Sequence, residues 1–368
     1  MNVPKLRFEK FVGGWVGKKV IDFAPLQRGF DLPLSSIVEG EFPVVFSNGI
    51  LKKHNQYKAT APGVVTGRSG TIGKVTYIEN NYWPHNTALW VTNFLDNLPK
   101  FVYYFYVNFD LARFGTGSGV PTLNRNDVHR QVIHVPQSLA EQTKISNFLT
   151  AIDEKITQLT QKQGLLKQYK KGVMQQIFSQ KLRFKDENGR EFPEWEVKPL
   201  GEISKFLDGR RKPIKESDRL KMKGKYPYYG ASGIIDYIND YIFDEDIILL
   251  GEDGENIVSR NLPLAFKVSG KCWINNHAHV IKPNHLTNID FLTQYLDSIS
   301  YIKYNTGTAQ PKLNQEVCRT IPLNLANLPE QTKIANFLTA IDEKITHTQT
   351  QLDAVKQYKK GLLQQLFV

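Results

Sequence analysis

The chain has 368 residues, of which 41% are hydrophobic and 23% charged, with a formal net charge of +11 and a pI near 9.3. This length exceeds what one hydrophobic core fills, so two core-bearing domains are expected, and the composition excludes a disordered chain. No apolar run is long enough to span a membrane, the N-terminus lacks the apolar core of a signal peptide, and the two cysteines, Cys272 and Cys318, fall in no paired metal or redox motif, which fits a reducing cytoplasm.

Residues 1–140 carry short β-rich runs, at 63–66 and 73–78, between Gly- and Asn-rich turns. Residues 101–114 have the apolar spacing of a helix that ends near Gly115. A long helix is expected over 141–180, because Ile145, Leu149, Ile152, Ile156, Leu159, Gln163, Leu166, Lys170, Val173 and Ile177 alternate spacings of four and three, a heptad seam. Residues 181–329 form a second mixed segment, with a strand at 247–250 and a helix over 291–304 ending near Gly307. A last helix follows over 330–368, with the seam Ile334, Leu338, Ile341, Ile345, Thr348, Leu352, Val355, Lys359, Leu362 and Leu366. Each seam's natural partner is the other, and antiparallel pairing would carry the globular segments to opposite ends of a helical spacer. Lys170 and Lys359 are expected to snorkel from the seam, while Gly172 and Gly361 either allow a close approach or bend, or are merely tolerated. The expected fold class is mixed α/β: two globular α+β domains separated by two long helices packed as an antiparallel coiled coil, with an internal pseudo-twofold repeat.

The repeat is explicit. Residues 141–178 return as 330–367 with roughly two-thirds of positions identical. The globular segments repeat faintly: Lys5-Leu6-Arg7-Phe8 recurs as Lys181-Leu182-Arg183-Phe184, Trp15 as Trp195, and Gly67-Arg68-Ser69-Gly70 as Gly251-Glu252-Asp253-Gly254. Trp83, Asn86 and Ala88 match Trp273, Asn276 and Ala278, and Pro121-Thr122-Leu123-Asn124 matches Pro311-Lys312-Leu313-Asn314. Shared positions are mostly Gly, Pro, Trp and apolar residues, which set turns and cores, whereas the variable ones are polar. Such a chain should dock one kind of partner through its helices and read two different surfaces through its domains.

The positive charge suits a polyanion such as nucleic acid. GxxxxGK[ST] is absent, as is a GxGxxG loop between strand and helix, and Gly115-Thr116-Gly117-Ser118-Gly119 stands in the wrong context for a cofactor site. His277 and His279 alternate on a strand, so both rings could share a face, but two ligands without a fourth do not make a metal site, and packing or base contact is the preferred reading. Acidic pairs such as Asp244 with Asp246, or Glu252 with Asp253, could mimic a nuclease. The first half, however, offers Arg68 and Ser69 in place of Glu252 and Asp253, a swap that suits base readout, Arg for guanine and an acid for the cytosine amino group. Candidate DNA-contacting residues are Arg68, Ser69, Lys74, His85, Asn86, Arg113, Thr116, Asn124 and Arg125 in the first half, and Arg260, Asn275, Asn276, His277, Lys303, Thr308, Gln310, Lys312 and Asn314 in the second. Asn86, Asn276, Asn124 and Asn314 recur in both halves and equally suit holding turns. No catalytic, cofactor or metal residue is expected.

The two Glu-Gln-Thr-Lys-Ile helix starts, at 141–145 and 330–334, Ala151-Ile152-Asp153-Glu154-Lys155-Ile156 with its second copy, and the Tyr-Lys-Lys-Gly-x-x-Gln-Gln endings resemble those of type I restriction-modification specificity subunits. Pro227-Tyr228-Tyr229-Gly230-Ala231-Ser232-Gly233 and Trp273-Ile274-Asn275-Asn276-His277-Ala278-His279 resemble hallmarks of that family's target recognition domains. The first domain departs from the pattern, with Val44-Val45-Phe46-Ser47-Asn48-Gly49. The resemblance implies a non-catalytic subunit whose two target recognition domains (1–140 and 181–329) read a bipartite, asymmetric double-stranded DNA target. The spacer helices (141–180 and 330–368) would set a gap near one helical turn, about 34 Å. It implies two methyltransferase (modification) subunits as partners, with restriction and motor subunits in the full complex, S-adenosylmethionine, ATP and Mg on those partners, and no membrane. The alternative is a stand-alone DNA-acting enzyme, nuclease or methyltransferase, with duplicated domains.

Overall fold

The computed structural model describes residues 3–117 and 119–368. The chain divides into two compact units, Met1–Thr160 with Thr350–Val368, and Gln161–Gln349. Each unit holds a globular segment and one half of each long helix.

In the first unit, a four-stranded antiparallel sheet runs Leu26–Arg28, Ala88–Val91, Gly63–Gly67, Val75–Ile78. A hairpin, Phe42–Phe46 with Gly49–His54, adds the short strand Trp83–Pro84 in parallel. The second unit repeats this plan: Ser204–Phe206, Ala278–Pro283, Ile247–Gly251, Ala265–Val268 in one sheet, and the hairpin Lys223–Gly230 with Gly233–Ile238 beside Lys271–Ile274. Both hairpins bulge at the same place, between Val44 and Val45 and between Tyr228 and Tyr229, and both pair in parallel with a tryptophan strand. Val44-Val45 therefore occupies the place of Tyr228-Tyr229, although the sequences differ.

The helices expected over 101–114 and 291–304 are each broken. Pro99–Asn108 and Ile289–Ser298 are α-helical, and 3-10 turns follow at Leu111–Phe114 and Ile302–Tyr304. The breaks fall at Asn108-Phe109-Asp110 and Ser298-Ile299-Ser300, where short polar side chains compete for backbone groups, as the Ser298 hydroxyl does by donating to the Tyr295 carbonyl. Breaking the helix also lets Leu111 and Tyr301 turn into the core, where both are buried.

The long helices span Leu139–Phe178 and Leu328–Leu366. Ser138 and Asn327 cap them, accepting from the Glu141 and Glu330 amides. Their seams bury as the heptads require: Ile145, Leu149 and Ile152 join Leu362 and Leu366 in the first unit's core, and Val173 and Ile177 join Ile334, Leu338 and Ile341 in the second's. Each such side chain contributes about 1.5–3 kcal/mol by burial. Pairing is antiparallel in both units. Lys359 donates to Asp153 at 2.5 Å in the first, while Lys170 donates to Asp342 at 2.6 Å and Gln163 to Gln349 in the second. Lys170 and Lys359 thus do not snorkel away from the seam: each ammonium finds a carboxylate on the facing helix. A Cβ at Gly172 or Gly361 would meet nothing within 4 Å, so no internal close approach calls for these glycines.

Each helix is fastened to its domain by one repeated joint. Glu141 is buried and accepts from Arg7 Nε at 2.7 Å, Arg7 Nη2 at 2.8 Å and the Trp15 indole at 3.1 Å. Glu330 accepts in the same way from Arg183 Nε at 3.1 Å, Arg183 Nη2 at 3.0 Å and Trp195 at 2.9 Å. The next residue ties down the loop before the domain helix: Gln142 accepts from the Leu98 amide and donates to the Asn97 side chain, and Gln331 accepts from the Asn288 amide and donates to the Leu286 carbonyl. The Glu-Gln helix start, the Leu-Arg-Phe segment and the lone tryptophan are therefore parts of one device that buries a charge only with full hydrogen bonding.

Candidate nucleic-acid interface

In each unit the turn after the central strand rests on the same backbone frame. The Arg68 amide donates to the Thr87 carbonyl, Gly70 to Pro121, and Leu123 back to Arg68. In the second unit Glu252 donates to His277, Gly254 to Pro311, and Leu313 to Glu252. Isolated bridges set Ser69 opposite Thr122 and Asp253 opposite Lys312. Gly70 and Gly254 turn this corner at φ +81° and +107°, a conformation that favours glycine. The frame is constant while its side chains change.

In the first unit the frame borders a cleft of about 600 Å³ lined by Arg28, Asp31, Arg68, Thr122, Asn124 and Arg125. Arg28 is tied to Asp31, whose carboxyl is held below its usual range by bonds from Asn86 and Arg28. Arg68 makes one long contact, 3.5 Å from Nη1 to the Asn86 carbonyl, and pairs with no carboxylate among the described residues. Its guanidinium and the exposed Arg125 are thus free donors on one cleft. The structure therefore brings together Arg68, Ser69, Asn86, Asn124 and Arg125 of the expected set. Asn124 also caps the helix Arg125–His129 by accepting from the Asn126 amide.

Other candidates are engaged elsewhere. His85 is held between Thr87 and the Leu32 carbonyl and packs at a tilt against the Phe46 ring, and burial lowers its pKa. Lys74 donates to the Asn48 carbonyl, Arg113 lies over the rings of Phe109 and Phe114, and Thr116 donates to Thr122 within a small hairpin. Ser118 lies outside the described residues.

In the second unit, Glu252 replaces Arg68 and is not free. Its carboxylate lies 2.6 Å from Arg211 Nη1, 3.3 Å from Lys312 Nζ and 3.7 Å from His279 Nδ1. His279 is buried, with Nδ1 on Asp208 at 2.6 Å and Nε2 on the Leu313 carbonyl at 2.8 Å, so both ring nitrogens face acceptors and the imidazolium is favoured. Burial is the largest single influence and lowers its pKa, but Asp208 and Cys318 together outweigh it and carry the pKa up to about 10. Asp208 is partly buried, which by itself would raise its pKa, yet it is held below its usual value by His279 and the Val280 amide. Asp208, Glu252 and His279 bring ligand atoms within 4.8 Å of one another, yet Arg211 already supplies a cation to both carboxylates, so the donor set fits a salt-bridge network better than a metal.

The histidines at 277 and 279 do not share a face. His279 lies in the strand Ala278–Pro283 with its side chain 1% exposed, whereas His277 precedes the strand, 51% exposed and bonded to Asp253. The turn that presents it is fixed by the buried Asn275, which accepts from the His277 amide. Asn276, His277, Lys312 and Asn314 are exposed around the frame. Arg260 is not available: it adopts φ +52° and donates to the Asp297 carboxylate. Lys303 lies over Tyr304, and Thr308 and Gln310 are exposed in the loop that follows. Sequence reasoning missed Arg28, Asp31, Asp208 and Arg211. The adjacent Arg210-Arg211 after Asp208-Gly209 was the one visible signal.

Among the described residues no helix is long and apolar enough to cross a membrane. Compared with known proteins, the chain is 36% identical over 148 residues to a type I restriction enzyme specificity subunit, S.HindORF215P, of Haemophilus influenzae, covering 40% of this chain and 37% of that one. It is 25% identical over 211 residues to the MjaVIII specificity subunit of Methanocaldococcus jannaschii, covering 52% and 46% respectively. The matches thus span less than half the length of these relatives. Among solved structures, it resembles the type I restriction-modification S subunit of M. genitalium with a TM-score of 0.69 at 18% identity, over 100% of this chain and 99% of that one. A chain from a structure of a type I R-M system matches with a TM-score of 0.56 at 12% identity, over 96% and 97%, and both likenesses concern the fold. The family model described as the type I restriction modification DNA specificity domain matches twice, at residues 13–168 and 193–357, and the chain belongs to that family.

Proposed function

We propose that this chain is the DNA-reading subunit of a type I restriction-modification complex, each unit reading one half of a bipartite, asymmetric duplex target. The observation that carries the reading is the contrast between a constant backbone frame and inverted side chains: Arg68 and Ser69 in one unit, Glu252 and Asp253 in the other. The free Arg68 of one unit and the acid Asp253 of the other select different base edges in the major groove, so one scaffold yields two unlike half-sites. Arg68, Asn86 and Arg125 are the first unit's readers, with its other exposed basic residues on phosphates.

The partners belong to the same proposal. Outside the seams, the exposed residues Asn147, Ala151 and Glu154 recur as Asn336, Ala340 and Glu343. The antiparallel register puts Glu154 opposite Tyr358 and Glu343 opposite Tyr169, both tyrosines exposed, next to Gly361 and Gly172. Two like surfaces suit two like proteins, and modification subunits docking there would bring S-adenosylmethionine and the methyl transfer, with ATP and Mg on motor and restriction subunits. The chain itself then works in the cytoplasm as a non-catalytic reader.

Methylation mapped in cells carrying the modification subunit, with and without this chain, tests the reading. The expected result is a two-part, asymmetric consensus that depends on this chain. Methylation at a single undivided motif, or methylation indifferent to the chain, overturns it.

A further inference from the structure

We propose that in the second unit Asp253, Lys312 and His277 form the base-discriminating group, matched to a cytosine–guanine pair, and that Glu252 beneath them is a positioning residue. The inference rests on the DNA-reading function above and adds which groups discriminate in this unit and what they select.

The bridge between the two loops sets one residue of each directly opposite the other, with side chains on a common side. In the first unit this rung is Ser69 with Thr122, two hydroxyls that both donate and accept and so tolerate any base. In the second it is Asp253 with Lys312, an acceptor-only group beside a donor-only group. An acceptor suits the cytosine N4 amino group and rejects the acceptors of guanine and thymine, while an ammonium suits guanine O6 and N7. Together they complement a cytosine–guanine pair.

Geometry supports the assignment. Lys312 and His277 are 47% and 51% exposed, and Asp253 is 24% exposed. His277 Nδ1 lies 3.0 and 2.9 Å from the two Asp253 oxygens, so it donates to the carboxylate and fixes its plane without filling its outer lone pairs. Asn275 fixes His277 in turn. Glu252 is the residue that sequence matching aligns with Arg68, yet at 13% exposure, bound by Arg211 and Lys312, it cannot reach a base without abandoning both. Its role is to hold Lys312 in place and, through its backbone bonds to His277 and Leu313, to hold the two loops together.

The test assembles the full-length chain with its modification subunits, binds the complex to a duplex pool randomised across both half-sites, and sequences the retained DNA. Asp253→Asn should move one base pair of one half-site from cytosine toward adenine, because an amide pairs with adenine N6 and N7, by roughly 5- to 150-fold in preference. Lys312→Gln should lose discrimination at the same pair. Glu252→Gln should flatten several positions of that half-site, with Glu252→Asp restoring them in part. Arg68→Ala is the control on the other half-site. If Arg68→Ala alters its half-site while Asp253→Asn and Lys312→Gln leave every base weight unchanged, this inference is overturned and DNA reading stands. If Arg68→Ala also changes nothing, or the unaltered complex selects no split consensus, DNA reading falls and this inference with it.

Discussion

The two units differ least where each helix meets its domain and most at the turn after the central strand. Arg7, Trp15 and Glu141 build the first joint and Arg183, Trp195 and Glu330 the second, with donor-to-acceptor distances between 2.7 and 3.1 Å in both. At the turn the same backbone bonds carry Arg68 in one unit and Glu252 in the other. A joint must answer to the same helix sequence twice, so its chemistry is fixed. The turn answers to whatever lies outside the molecule, and the frame leaves its side chains free to diverge.

The largest expected effect concerns the joint. Glu141→Ala and Glu330→Ala each take the acceptor from an indole N–H and the buried carboxylate from an arginine, which keeps only backbone carbonyls (Gly13 for Arg7; Phe192 and Pro193 for Arg183) and, for Arg183, the exposed Glu194. Removing one partner of a buried ion pair costs about 3–5 kcal/mol. Urea denaturation followed by fluorescence should show losses of similar size for the two variants. A loss in one unit only would break the equivalence of the joints.

That joint was legible in part. The sequence repeats all its members, but each glutamate lies 126 to 147 positions from its arginine and tryptophan, and nothing in spacing says that a Leu-Arg-Phe segment and a tryptophan meet a helix start. The apolar heptad seams were legible, because a 3.5-residue period reports a buried stripe directly, but the facing carboxylates that meet Lys170 and Lys359 were not. The broken helices at Asn108-Phe109-Asp110 and Ser298-Ile299-Ser300 were not, since apolar spacing continued through them while short polar side chains ended the helix. At the reading turn, the inversion of Arg68 to Glu252 was visible, but the reason Glu252 cannot read was hidden. Arg211 comes from a segment 41 residues earlier, and only the folded sheet brings it to 2.6 Å.

A middle-sized effect separates the units by pH. His279 faces Leu250 across the sheet in the second unit, where Leu89 faces Thr66 in the first. Because the folded pKa of His279 is raised to about 10 from an ordinary 6.5, its contribution to stability is complete below about pH 6.5 and is lost as pH rises toward 10. The slope is at most about 1.4 kcal/mol per pH unit. Urea midpoints between pH 7 and 9, below the range in which tyrosines ionise, should fall for the unaltered chain and stay flat for His279→Leu, which gives the second unit the first unit's residue. Equal slopes in the two proteins would show that the network does not depend on the imidazolium.

The smallest effect tests whether the facing helices are held in register by charge as well as by the seam. Asp153 receives Lys359 and the Tyr104 hydroxyl, and Asp342 receives Lys170 and the Gln294 amide, so each carboxylate links both helices to the domain helix. The pairs are partly exposed, with the lysine side chains 16–18% and the aspartates 31–38% accessible, and screening by water keeps each near 1 kcal/mol. Asp342→Ala should therefore cost about that much, and a Lys170→Asp, Asp342→Lys exchange should recover most of it, because the charges meet again in the same register. Salt separates the contributions: raising ionic strength should shrink the difference between Asp342→Ala and the unaltered chain, whereas a loss of packing alone would leave it constant. If the exchanged pair is no more stable than Asp342→Ala, the geometry around Gln294 matters more than the charge, and the two helices find their register through the seam alone.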